Sequence, residues 1–186
     1  MAALAGALSA GLSAMVAGLT LGRSGDTEFE ERMSALIGKA TLLRTRLTAD
    51  IDRDADAYGA VMNAYRMPKG TDEEKTTRVK AIQAALEEAA RVPLSVAEAG
   101  VDLLAIAEIV VTDGNPNAVT DGAVAALMAR SSVLAALFNV RINLSSIKDE
   151  SLVSEMRAKA EELEKKATEK EWEILSLTDS IMKKQA

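Results

Sequence analysis

From Met1 to Gly22 the chain carries no charged side chain, and Arg23 supplies the first. A helix of this length with no polar face enters a membrane or packs inside protein. Thirteen of the 22 residues are Ala, Gly or Ser, which gain little from hydrocarbon, whereas a spanning helix needs about 20 strongly apolar residues. The segment does not read as a secretory signal either, because no basic stretch precedes the apolar one. Leu4, Leu8, Leu12, Met15 and Leu19 fall on one helical stripe, while Gly6, Ala10, Ala14 and Ala17 leave other faces thin. This pattern reads as the central, buried helix of a bundle.

The rest of the chain supplies helices to surround it. Ser24-Gly25-Asp26 breaks the first helix, and Thr27 with Glu30 has capping-box spacing for a second. Met33, Leu36, Ala40, Leu43, Leu47 and Ile51 give that helix an apolar stripe, predicted to run to about Arg66, where Met67-Pro68-Lys69-Gly70 stops it. Thr71 and Glu74 form a second capping box, so a helix starts near Asp72, with Ile82, Leu86 and Ala89 on its inner face. Pro93 marks either a kink or a fresh helix start. Asp113-Gly114-Asn115-Pro116-Asn117 is the strongest turn signal. A further helix is expected over roughly Val119 to Ile147, and Asp149 caps a last one, whose apolar side is traced by Leu152, Met156, Leu163, Ile174 and Ile181. No stretch alternates with period two, and no fixed repeat is visible. The expected architecture is all-α: a bundle of five or six helices, some long, forming one domain over residues 1–186 and packed as a dimer.

Composition narrows the chemistry. The 186 residues contain neither Cys nor His, which removes disulfides, thiolate and imidazole metal sites, thiol nucleophiles and every His-based triad. No metal site is expected. The net charge of −6 argues against nucleic acid as a partner. Catalysis has to use carboxylates, Lys, Arg, Tyr, amides or backbone groups.

Three polar clusters interrupt the apolar pattern. In Asp52-Arg53-Asp54-Ala55-Asp56-Ala57-Tyr58, Asp54 and Tyr58 share a helical face. Spacing alone allows a solvated acidic turn, but the small Ala55, Ala57, Gly59 and Ala60 leave room for a ligand or another helix. Lys69 lies downstream and reads equally as an ordinary loop lysine. Asn115, Asn117 and Thr120-Asp121 surround a helix start, where they serve either as simple caps or as donors to an anion or carbonyl. Asn139 and Asn143 stand four residues apart within an apolar helix, either as an interhelical polar clamp or as a pair of amides reading a heterocycle's edge.

Taken together, these pieces resemble the cyclodeaminase/cyclohydrolase family of folate enzymes. The residues that carry the resemblance are Ala2-Ala3-Leu4-Ala5-Gly6-Ala7-Leu8, Met15-Val16-Ala17-Gly18-Leu19-Thr20, Asp54-Ala55-Asp56-Ala57-Tyr58 and Met67-Pro68-Lys69. Thr71 to Lys75, Val92-Pro93-Leu94, Gly114-Asn115, Thr120-Asp121 and Asn139-Val140-Arg141-Ile142-Asn143-Leu144 complete them. The stretch from Tyr65 to Leu94 looks closest to the stand-alone bacterial methenyltetrahydrofolate cyclohydrolases. The resemblance implies a cytoplasmic helical homodimer of one-carbon metabolism, with no prosthetic group and no membrane association. The implied substrate is 5,10-methenyltetrahydrofolate, hydrolysed to 10-formyltetrahydrofolate; the alternative activity is cyclodeamination of formiminotetrahydrofolate with release of ammonia. In this reading Asp54 and Asp121 are candidates for the base, Lys69 for the proton donor, and Tyr58, Asn115, Asn117, Asn139 and Asn143 for substrate binding. Arg141 and Lys148 would meet the glutamyl tail, unless Arg141 faces another helix. Two departures stand out. The family's Gly-Gly-Gly-Ser-type loop would end where Met1 stands, and Gly22-Arg23-Ser24-Gly25 replaces a Gly-Lys run after Leu19-Thr20. The chain is therefore expected to fold but to bind folate weakly. A non-enzymatic helical interaction module is the competing class.

Overall fold

The computed structural model describes residues 1–185. It is built from α1 (Ala2–Gly18), α2 (Thr27–Arg66), α3 (Asp72–Asp113), a 3-10 turn (Pro116–Ala118), α4 (Val119–Leu144) and α5 (Glu150–Gln185). Among the described residues there is no strand. The all-α architecture is as expected, with five α-helices.

The starts of α3 and α5 follow the sequence reading. Thr71 Oγ1 accepts from the Glu74 N–H at 3.2 Å while Glu74 Oε2 accepts from the Thr71 N–H at 3.1 Å, and Asp149 Oδ1 accepts from the Leu152 N–H at 3.0 Å. Two other caps differ from expectation. At α2 the cap is Asp26, whose Oδ1 accepts from the Glu28 N–H at 3.0 Å. Asp26 precedes Thr27 and is the stronger capping residue, so Thr27 becomes the first helical residue. Glu30 is drawn instead to the Gly22 N–H, 2.8 Å away, in a loop that turns through Gly22 and Gly25 at φ of 76° and 70°. At α4 neither Asn117 nor Thr120 caps the helix. Ala118 occupies the cap position without a side-chain bond, because Asn115 already caps the preceding 3-10 turn.

The burial of α1 corrects the expectation of a centrally buried helix. Its small side is inside: Ala3, Gly6, Ala7, Ala10, Ser13, Val16 and Ala17 are buried. Its leucine side is outside, with Leu4, Leu8, Met15 and Leu19 between 41% and 53% exposed. Close packing explains the choice, since small side chains let backbones approach and maximise contact. A Cβ on Gly6 would stand 2.9 Å from both Leu47 Cδ1 and Ser132 Oγ, so α1 wedges between α2 and α4 at a depth no leucine fits.

Further in, Leu103, Leu104 and Ile106 of α3 meet Val133, Leu137 and Val140 of α4 in the main core. Gly100 makes that approach possible, because a Cβ there would stand 2.6 Å from Val133 Cγ2 and 3.2 Å from the Ala129 carbonyl oxygen. The segment Pro116–Leu144 is long and apolar enough to cross a membrane, yet Ala125, Ala126, Ala129, Val133, Ala136 and Leu137 within it are fully buried in this core. Helix α5 lies across α3 and α4. It is fastened by Met156, Leu163 and Ile174 and by the ion pairs Arg130–Glu171 at 2.6 Å and Lys170–Glu108 at 3.0 Å. The carboxylates of Glu173 and then Glu108 hold the Lys170 ammonium above the ordinary lysine pKa.

Pro93 neither ends α3 nor starts a new helix; α3 runs through it for 42 residues. A proline in a helix leaves the carbonyl four residues back without its N–H partner. That carbonyl belongs to Ala89, and Asn143 Nδ2 donates to it from α4 at 2.6 Å. The amide replaces the bond the proline removes. Asn143 is therefore an interhelical clamp, one of the two readings its spacing allowed.

Candidate functional site

A cavity of about 160 Å3 opens where the first residues of α1 meet the middle of α2, Pro93 and Val96 of α3, and Asn139 of α4. Helix α2 contributes Asp50, Ile51, Asp54 and Ala55. Asp50 and Asp54 share its inward edge by their four-residue spacing, and Ala55 keeps the wall low beside them. Asp54 is exposed, so it is open to water and to a substrate. Asn139 is exposed and its Nδ2 donates to the Ala135 carbonyl at 3.0 Å, leaving its Oδ1 as the amide's acceptor.

Asp50 is the site residue that sequence reasoning missed. It is 3% exposed. Arg53 Nη1 donates to its Oδ1 at 3.1 Å, and Arg46 Nε stands 3.7 Å from its Oδ2. Oδ2 is buried and has no hydrogen-bond partner within the chain. Arg53 also donates to Glu88 of α3 at 3.3 Å, so the buried carboxylate is fixed by a charged bridge between two helices. Ile51, expected on the buried stripe, is instead 38% exposed. Both positions continue the phase set by Leu43 and Leu47, and the chain buries the acid.

The remaining candidates lie elsewhere in the chain. Tyr58 is one turn beyond Asp54 and 67% exposed. Lys69 is an exposed residue of the loop after α2, whose last residue, Arg66, is about 18 Å along the helix from Asp54. Asp121 lies in the first turn of α4, about 27 Å along that helix from Asn139. With it stand Asn115 and the exposed Asn117. Asn115 ties the end of α1 to the start of α4: its backbone N–H donates to Thr20 Oγ1 at 2.9 Å, its Nδ2 to the Leu19 carbonyl at 3.2 Å, and its Oδ1 accepts from the Asn117 N–H at 3.0 Å. Arg141 faces α5, where it pairs with Glu164. Lys148 is an exposed residue between α4 and α5, with its backbone N–H donating to Gln83 Oε1 at 2.7 Å. One chain thus brings Asp54 and Asn139 together with Asp50 and separates them from the Asn115–Asp121 group.

A wider, open groove of about 630 Å3 runs between α2, α3 and α5. Its cations Arg53, Arg91 and Lys159 are faced by Glu88, Glu98, Glu155 and Glu162, so it offers no net positive field. Lys166 and Lys159 hold the Glu162 carboxyl below the ordinary value. Among the described residues no cluster of acidic side chains has the arrangement of a metal site.

Comparison with known proteins gives concordant findings. The sequence model of the formiminotransferase-cyclodeaminase family matches residues 1–162. A methenyltetrahydrofolate cyclohydrolase of Methylorubrum extorquens is 39% identical over 154 residues, 83% of this chain and 74% of that protein. The formimidoyltransferase-cyclodeaminase of Rattus norvegicus is 35% identical over 150 residues, 81% of this chain but only 28% of that longer protein. Among solved structures, formiminotetrahydrofolate cyclodeaminase from Thermotoga maritima superposes with a TM-score of 0.85 at 28% identity, covering 97% of this chain and 86% of that one.

Proposed function

Because the chain belongs to the formiminotransferase-cyclodeaminase family, we propose that it is a methenyltetrahydrofolate cyclohydrolase, a cytoplasmic enzyme of one-carbon metabolism that converts 5,10-methenyltetrahydrofolate to 10-formyltetrahydrofolate. The observation that carries this reading is the cavity that unites Asp54 and Asn139 in a chain 39% identical to a protein of that activity.

The substrate's methenyl carbon lies between N5 and N10 in a cationic amidinium. Water adds to this carbon, and Asp54 takes the water's proton as the C–O bond forms. The resulting carbinolamine then collapses: the C–N5 bond breaks, N5 receives the proton held by Asp54, and the hydroxyl proton leaves to solvent. The carbonyl of the 10-formyl product remains, and the sum is substrate cation plus water giving product plus one proton. A carboxylate also stabilises the cation before reaction, so its contribution rests on proton transfer rather than charge alone. Asn139 lines the same cavity, and its Oδ1 is a neutral acceptor that would orient the water. No prosthetic group is required for these steps.

The test is hydrolysis followed by the loss of methenyl absorbance. Asp54→Asn, which keeps volume and removes the charge, is expected to lower kcat by roughly 100-fold or more with the helical circular dichroism unchanged. Wild-type-like turnover would remove Asp54 from the base role. The likeness to a cyclodeaminase at TM-score 0.85 supports one second reading, cyclisation of formiminotetrahydrofolate with release of ammonia. That reaction forms the methenyl compound that hydrolysis consumes, so ammonia release from the formimino substrate separates the two.

The chain is further proposed to work as a homodimer. Leu4, Leu8 and Met15 on α1, with Leu19 just past its end, present an apolar stripe to the outside, and a two-fold partner with the same stripe would cover it.

A further inference from the structure

We propose that Asp50 is a positioning residue for the base: it gathers Arg46 and Arg53 against α3 and cancels their charge, so that the carboxylate of Asp54 stays clear of cations. The inference rests on the cyclohydrolase reading above and adds a residue that acts through Asp54 without touching the substrate.

Four acids lie close together on α2, and three of them, Asp52, Asp54 and Asp56, are exposed. Only Asp50 is buried. An acid in an apolar stripe is costly unless its charge is met. Here it is met twice: Arg53 Nη1 donates to Oδ1 at 3.1 Å, and Arg46 Nε stands 3.7 Å from Oδ2. Both guanidinium groups are also tied to α3. Arg46 Nη2 donates to the Ser95 carbonyl at 3.2 Å, and Arg53 Nη2 donates to Glu88 Oε1 at 3.3 Å. Two cations and two carboxylates thus close a neutral network on the side of α2 that faces α3.

The consequence shows in the cavity, which no lysine or arginine side chain lines. Among the described residues Asp54 makes no ion pair and no side-chain hydrogen bond. Helix α3 brings only Pro93 and Val96 to it, α4 brings the neutral Asn139, and the start of α1 brings the Met1 amino group as its one charge. The other charges that act on Asp54 belong to its own helix: Asp50 about 6 Å along the axis, and the two arginines that Asp50 holds. A carboxylate serves as a base only while it is free to take a proton, and an uncompensated guanidinium nearby favours the ionised form and weakens the base. Asp50 removes that effect for two arginines at once, and it does so from a buried position that needs no contact with a ligand.

The experiment is the pH dependence of kcat/KM for 5,10-methenyltetrahydrofolate, with the uncatalysed rate subtracted, in the wild type, Asp50→Asn, Arg53→Gln and the double variant. Asp50→Asn leaves one net positive charge beside Asp54, which keeps the base ionised to lower pH. Its acidic limb is expected to move down by about 0.5–1 pH unit, and its plateau kcat to fall about threefold or more as the base weakens. Arg53→Gln leaves one net negative charge, and its limb is expected to move up, by about 0.3 pH unit because water screens the half-exposed guanidinium. The double variant restores neutrality and is expected to return the limb to the wild-type position. A merely structural role would lower activity without these opposite displacements. The side chain of Arg53 is 46% exposed, so Arg53→Gln decides the matter even where Asp50→Asn fails to fold. Limbs that stay in place, or that move in the same direction, would overturn the assignment while leaving the cyclohydrolase reading standing. Wild-type-like turnover in Asp54→Asn would overturn it together with the base role, and a wild type that does not hydrolyse the substrate would overturn the whole reading.

Discussion

Position 50 shows what a sequence pattern conceals at the scale of one residue. Leu43 and Leu47 set a phase that both Asp50 and Ile51 continue. Hydrophobicity assigns the buried place to Ile51, but cavity geometry and two neighbouring arginines assign it to Asp50. Asp54 and Asn139 were legible, because a polar residue among small or apolar neighbours is visible in the string. That they share a cavity was not, because they lie on different helices far apart in sequence. Lys69 and Arg141 looked like equally good candidates by residue type, but their surroundings differ: the exposed loop between α2 and α3 for one, and a pairing with Glu164 for the other. Glycine carries a comparable hidden constraint. Gly100→Ala would gain up to about 1 kcal/mol of helix propensity but forces a methyl to within 2.6 Å of Val133 Cγ2 and 3.2 Å of the Ala129 carbonyl. Net destabilisation of about 1–2 kcal/mol is expected, read as a lower denaturant midpoint at unchanged m. A midpoint at or above the wild type would show that α3 and α4 can separate without cost.

Among the elements, α3 and α5 were readable because each combines a stripe with a start signal that forms as spaced, and α2 because its stripe runs up to the stop at Pro68. The box at Thr71–Glu74 forms both of its bonds, and Asp149 caps as expected. The continuity of α3 through Pro93 was not readable, since the compensating donor comes from position 143, far along the chain. This gives a double-mutant test. Asn143→Leu should cost about 1–3 kcal/mol by leaving the Ala89 carbonyl unsatisfied. In a Pro93→Ala background the new backbone N–H meets that carbonyl, and the same substitution should cost less than about 1 kcal/mol. Chemical denaturation of the four proteins measures the coupling. Additive losses would mean that the Asn143–Ala89 contact contributes nothing specific to the proline's tolerance.

For the whole molecule, the all-α class followed from helical periodicity and the absence of alternation. The placement of α1 did not, because a helix apolar on every side gives no contrast from which to choose its inner face. Side-chain size makes the choice, and size matters only when α2 and α4 are in position. The stripe left outside predicts the assembly. Leu8→Glu, at a site 53% exposed, should leave the helical content intact and convert a dimer into a monomer by sedimentation. A wild type that is monomeric across micromolar concentrations, or a Leu8→Glu protein that remains dimeric, would place the contact elsewhere. In the proposed dimer the outward leucines of α1 would also link folding to mass action: their transfer from water would be completed only on meeting a second copy, and the folded state would be favoured by the protein's own abundance. The melting temperature should climb as the solution is made more concentrated, and a dilute sample, such as the chain newly released from synthesis, should be the most easily unfolded form of the molecule.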